Sequence, residues 1–370
     1  MRYVIDGVRP YTRLVWRPCY SFRSCLSHFM NILAFYCPVL QDERIYDLMR
    51  VGWSSWYLPS KVLLWPAAMF GQAFWNLKTL FGVTVRELPC GGPDRLHGVL
   101  RERICADRPL FLFVNGRPVR DGDTVDFLDE RDHDTFVGYG FDSGRNAVLL
   151  LNNHRDASGW CPIHALEDRL AGNQVHDLRV PPDCEMPTEE ALASFLLSRV
   201  RIGLGCEPGI PTDLLAKDHK PGTVYGPGGI RAFAELSRYG RGEETLQQGA
   251  FRVCQGLLML LQERNIFVSI VKEFLRPDDG GAQAGVLRGW GRLEREWERV
   301  ARLAARIHMT GQAGLVAEVQ DRLRSVADSE ELMLFEFQDY LSGYLVSSRR
   351  SETCDATGQD CRLNAAPAAS

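Results

Sequence analysis

Cys25 stands near the head of Ser24-Cys25-Leu26-Ser27-His28-Phe29-Met30. A helix starting at Cys25 sets the thiol over the unpaired backbone N–H groups of its first turn. Those groups and the helix dipole favour the thiolate, which is the reactive form of cysteine, and they can also hold an oxyanion. A thiol nucleophile needs a base, and a histidine held on a neighbouring strand serves as one. His133 stands at the start of the predicted strand His133-Asp134-Thr135-Phe136-Val137, and Asn152-Asn153 closes Ala147 to Leu151. The separation of nineteen positions between His133 and Asn152 suits a strand, a turn and a second strand. That spacing sets a carboxamide beside the imidazole, where it accepts the ring N–H and fixes the tautomer. Each residue also has an ordinary reading: a buried filler cysteine, a surface histidine before a strand, a turn-forming Asn pair. Cys19, after Trp16-Arg17-Pro18, is a rival nucleophile, and Asn153 a rival to Asn152. His28, three residues after Cys25 on the same helix face, fits a core or supporting role better than that of base.

The elements that must position these residues are legible in outline. Leu26, Phe29, Met30, Leu33 and Tyr36 recur at helical spacing and predict an amphipathic helix over about 25 to 37. Leu110 to Val114 predicts a buried strand entering a hairpin at Asn115-Gly116. Thr135 to Tyr139 and Ala147 to Leu151 predict adjacent strands joined by a tight turn at Asp142-Ser143-Gly144. Val180 to Pro187 is a proline-rich break, after which strand signals almost vanish. Thr188 followed by Glu189 and Glu190 predicts a capped helix start. Leu293, Trp297, Val300, Ala304 and Ile307, then Leu315 through Leu341, predict long helices. Residues 346–370 are polar and small and predict a disordered tail.

Composition narrows the function classes. Among 370 residues, 43 Lys and Arg face 47 Asp and Glu, a net charge of −4 with no long basic run, so neither nucleic acid nor an anionic membrane is an expected partner. The eleven cysteines are an odd number with no CxxC pair, a poor framework for disulfides or zinc. The most apolar stretch, Val62 to Trp75, is interrupted by Pro66 and Gly71 and is too short to span a membrane, and the start does not read as a secretory signal. The expected location is cytoplasmic. Gly222 to Gly229 does not follow a strand in the manner of a phosphate loop. The aromatic residues from Trp53 to Trp75 read as core, or as walls of an apolar pocket. Arg238, Arg241, Arg349 and Arg350 offer positive charge to an acidic partner or to solvent.

Cys, His and Asn in this chain order form the papain-type arrangement, and Cys25 to Glu43 with Arg44 to Gly52 resembles the opening of the butirosin biosynthesis protein H family. There a cysteine heads a helix and a Ser-Glu-like pair follows; Asp42-Glu43 stand at that place here. His133 leading into Gly138-Tyr139-Gly140-Phe141-Asp142 resembles the family's His-strand-Gly-Tyr-Asp element. Asn152 with Trp160 to Leu170 resembles its next strand and helix, and Gly222 to Gly240 with the Trp297 helix its helical domain. The chain departs from the pattern at Cys37-Pro38, where the family has glycine, and at Glu263 to Glu273, where it has a glycine-rich stretch. Cys19, six residues before Cys25, replaces the Gln that would donate to the oxyanion.

The resemblance implies an α+β protein: a papain-like domain over residues 1–180, a mainly α-helical domain over 185–345, and the tail. It implies an acyltransferase of natural-product biosynthesis that moves an acyl group from a carrier-protein thioester to a small-molecule amine. Cys25 would be the nucleophile, His133 the base and Asn152 its orienting group. The acyl group would arrive on the phosphopantetheine of an acyl or peptidyl carrier protein, with no other cofactor and no metal. Two further readings are a thioesterase or cysteine peptidase, with water as acceptor, and a non-catalytic binding or scaffold protein of the same fold.

Overall fold

The computed structural model describes residues 1–9, 23–52, 55–58, 63–66, 69–128, 133–152, 158–207, 226–236, 245–275 and 281–357. The chain divides into two units. The first draws on Met1–Val51 and Ala68–Met186, the second on Gly52–Ala67 and, in the main, the chain after Pro187. The architecture is mixed α+β, and among the described residues every strand lies before residue 180.

In chain order the strands are β1 (Arg2–Val4), β2 (Ser55–Leu58), β3 (Leu63–Pro66), β4 (Thr84–Pro89), β5 (Leu110–Asn115), β6 (Pro118–Asp121), β7 (Thr124–Phe127), β8 (His133–Asp142), β9 (Ala147–Leu151), β10 (Gly159–Pro162) and β11 (Leu170–Arg179). β2 and β3 form a separate hairpin in the second unit. The other nine make one sheet in the order β4-β11-β5-β8-β9-β10-β7-β6, with β1 also paired to β8. The predicted β8–β9 pair is present, antiparallel from Val137 opposite Leu151 to Asp142 opposite Ala147, with an irregularity between Gly138 and Gly140. Its turn is held by the Asp142 carboxylate, which accepts from the N–H groups of Gly144 (2.9 Å) and Arg145 (3.2 Å).

The hairpin expected at Asn115-Gly116 is not formed. β5 pairs with β8 and β11, and β6 turns back instead on β7, through Gly122 at φ +61°. An Asn-Gly pair supplies positive φ but does not choose the next partner. Leu110, Phe111, Leu112 and Val114 are all buried, so β5 needs a neighbour on each side.

Helices α1 (Arg23–Tyr36), α2 (Glu43–Arg50), α3 (Met69–Phe81), α4 (Pro93–Ile104) and α5 (Ile163–Glu167) complete the first unit. α1 packs on β8 and β5, and α2 packs on α1 and α3. The expected amphipathic pattern of α1 is corrected: Leu26, Ser27, His28, Phe29, Met30, Asn31, Ile32 and Leu33 are buried in succession, so the helix is enclosed on all sides. α2 begins at Asp42, whose carboxylate accepts from the Arg44 N–H at 2.9 Å and caps the helix. Its end is closed by two buried amides of α3. Gln72 Nε2 donates to the Val51 carbonyl, and Asn76 Nδ2 to those of Leu48, Met49 and Val51.

The second unit holds α6 (Glu189–Gly203), α7 (Gly226–Leu236), α8 (Leu246–Phe274), α9 (Ala282–Thr310) and α10 (Leu315–Thr357). Thr188 caps α6 as predicted, its hydroxyl accepting from the Ala191 N–H at 3.2 Å. The stripe from Leu293 to Ile307 and that from Val319 to Leu341 are both buried, with Leu315 at the margin. The hairpin β2–β3 packs on α7 and α8. Gly226, at φ +59°, opens α7 where a Cβ would lie 1.9 Å from the Gly203 carbonyl oxygen, so only glycine fits. Among α8, α9 and α10, Arg264 is fully buried and donates to Glu330 (2.9 Å) and Glu263 (3.0 Å), while Trp297 Nε1 donates to Glu330 (3.1 Å). α10 continues to Thr357, past residue 346 where a disordered tail is expected; residues 358–370 lie outside the described residues. No helix among the described residues is long and apolar enough to cross a membrane.

Candidate active site at the head of helix α1

Cys25 is the third residue of α1, so the helix begins two residues earlier than expected and Cys25 still lies in its first turn. Its backbone N–H is among those with no carbonyl four residues back inside the helix. His133 is the first residue of β8, opposite Asn115 of β5. The side chains of Cys25 and His133 lie outside the described residues, as do Cys19 and Asn153 entirely. Asn152 follows β9 directly and is fully buried. Its Nδ2 donates to the Thr135 carbonyl at 3.1 Å, and its backbone N–H donates to Ser158 Oγ at 3.1 Å.

Three contacts fix how α1 lies on the sheet. His28, fully buried, has Nδ1 2.8 Å from Thr135 Oγ1. Phe29 stacks on Phe111 of β5 with ring centroids 4.0 Å apart, and Phe111 is the partner of Val137. At the far end of α1, Tyr36 lies beside the Arg108 guanidinium, just before β5 begins at Leu110, the partner of Gly138. From head to tail the helix therefore advances in the same sense as β8. Cys25 precedes His28 by about 4.5 Å of helix rise, and His133 precedes Thr135 by about 6.8 Å of strand. Both offsets run toward the same end of the sheet. The strand period of two also returns position 133 to the face that carries Thr135. Asn152, bonded to Thr135 from the next strand, belongs to that same end.

His28 is thus a buried residue of α1 tied to β8 through Thr135. Thr135 and Ser158 escape the sequence reading. Thr135 is signalled only by its shared parity with His133 and by the three-residue step from Cys25 to its partner His28, and Ser158 by nothing. Asp42 is occupied as a helix cap.

Burial pushes the Cys161 thiol up to about 12. Burial likewise raises Cys90 and Cys184 to about 11, each against ordinary values near 9. Cys37 and Cys184 are both buried, with Cys37 Sγ 3.6 Å from the Cys184 carbonyl. Among the described residues no group of three or more His, Cys, Asp and Glu side chains is arranged to hold a metal ion. Of the arginines considered for an acidic partner, Arg238 and Arg241 lie outside the described residues, and Arg349 and Arg350 are placed only as backbone on α10. No protein-family model matches the chain, and no curated protein matches it.

Proposed function

We propose that the chain is a cysteine acyltransferase of papain-like fold that takes an acyl group from a carrier-protein thioester and delivers it to an amine. One observation supports this reading above the others. The head of α1, the start of β8 and the end of β9 converge on Thr135, and these are the places of Cys25, His133 and Asn152. With Asn152 Nδ2 turned to the Thr135 carbonyl, the Oδ1 of that carboxamide is the group that would accept the His133 ring N–H and fix its tautomer.

The chemistry follows from those roles. His133 takes the thiol proton, and the Cys25 thiolate attacks the thioester carbonyl. First-turn N–H groups of α1 hold the oxyanion. The intermediate collapses by breaking the bond to the phosphopantetheine sulfur, which leaves with the proton from His133. The acyl group then rests on Cys25. An amine attacks it, His133 receives the amine's proton, and Cys25 departs as thiolate. The thioester supplies the activation, so the cycle closes without ATP.

The test is intact mass of the full chain after incubation with an acylated carrier protein. An adduct of the acyl mass that is lost in Cys25→Ser, and that amines discharge faster than water does, is the expected result. Discharge by water alone makes the protein a thioesterase or peptidase. A folded chain that takes up no acyl group overturns the catalytic reading and leaves a binding or scaffold protein.

A further inference from the structure

We propose that His28 and Thr135 are positioning residues that set the distance between the nucleophile's helix and the base's strand, an inference that rests on the catalytic reading above. Thr135 is a branching point. Its hydroxyl meets His28 Nδ1 of α1 at 2.8 Å, and its carbonyl accepts from Asn152 Nδ2 at 3.1 Å. Its backbone stays in register with Phe113 of β5. His28, Asn152 and Thr135 are all buried, with exposures of 0%, 0% and 1%. A polar chain with no solvent to compete for its partners holds one geometry, because breaking any link leaves a buried group unpaired.

The placement of the chain matters as much as its burial. It crosses from helix to strand one turn after Cys25 and two residues after His133, so the lever between the tie and the reacting groups is short. The apolar contacts beside it do not define axial position as sharply. The Phe29 and Phe111 rings are stacked faces, which slide past each other more easily than a hydrogen bond stretches. Without the tie, α1 can slip along β8 and carry the thiol away from its base. A misplacement of about 1 Å between reacting groups is enough to cost on the order of a hundredfold in rate.

The experiment measures the rate of Cys25 alkylation by iodoacetamide between pH 5 and pH 9 on the full chain, with Cys25→Ser identifying the adduct. The wild-type profile is expected to inflect below the ordinary thiol value and to lose that inflection in His133→Ala. Thr135→Val should move the inflection back up and, at pH values below both inflections, lower the rate by about tenfold for each unit of displacement, while Thr135→Ser restores the wild-type profile. The double variant His28→Leu/Thr135→Val replaces both partners by apolar groups. It guards against misfolding of the single variant and should show the same displacement in a chain with native circular dichroism. Folded Thr135→Val or double-variant protein with a wild-type profile overturns the positioning role and leaves the catalytic reading standing. Failure of both variants to fold assigns the pair to folding alone and overturns it too. A wild-type profile already at the ordinary thiol value removes the catalytic reading, and this inference with it.

Discussion

At Thr135 the side chain and the main chain act on different elements, one holding a helix and the other the next strand. The remaining cysteines provide the contrast at the same scale. Burial keeps Cys161, Cys90 and Cys184 protonated well above neutral pH, so their nucleophilic form is scarce. Cys206 is exposed. Limited alkylation at pH 7 followed by peptide mapping should therefore find Cys25 and Cys206 modified, and Cys90, Cys161 and Cys184 unmodified until the chain is denatured. The same shifts bear on stability. A thiol raised in the folded state contributes stability that is complete below its unfolded value near 9. That contribution is lost as pH rises from there toward about 12, so the melting temperature falls over that alkaline range and falls less steeply in Cys161→Ala. The residues that could carry chemistry were visible in the sequence because cysteine, histidine and asparagine are rare enough to stand out. Thr135 was not, since a threonine in a strand is an ordinary β-former and its partner His28 lies 107 residues away.

Among the elements, legibility followed locality. The β8–β9 pair, the Thr188 cap and the apolar stripes of α9 and α10 are each decided within a short window of sequence. The pairing of β5 and the enclosure of α1 are decided by distant segments. Ser27 and Asn31 interrupt the apolar stripe of α1, yet both are buried, as is His28. Arg264 is a further case: in Glu263 to Glu273 it reads as one more charge, and only the arrival of α10 encloses it with Glu330. Replacing it by Met strands two buried carboxylates. Arg264→Met should therefore destabilise the helical unit by about 3–5 kcal/mol, measured by denaturant unfolding, and Arg264→Met/Glu330→Leu should recover part of the loss. An Arg264→Met chain as stable as wild type would show that the network is not a structural tie.

At the scale of the whole molecule, the two units are not consecutive stretches of the chain. The chain leaves the first unit after Val51, contributes the β2–β3 hairpin to the second, and returns at Ala68. The composition break near Val180 gives no sign of this excursion, because a short apolar hairpin looks the same whichever core it joins. Replacing residues 53–67 by a Gly/Ser link should leave amide-exchange protection in β5 and β8 unchanged and lower it in α7 and α8, against which the hairpin packs. Unchanged protection in α7 and α8 would show that the hairpin adds nothing to the helical core.

That excursion also imposes an order on biosynthesis. The strands Ser-Trp-Tyr-Leu and Leu-Leu-Trp-Pro leave the ribosome about 160 residues before α7, and the helices they pack on are not yet made. At about 5–20 residues per second, that apolar hairpin waits on the order of ten to thirty seconds for its partners. The nascent chain thus passes through a stage in which these two strands have no core to join, and a translation-time chaperone has a defined window in which to hold them.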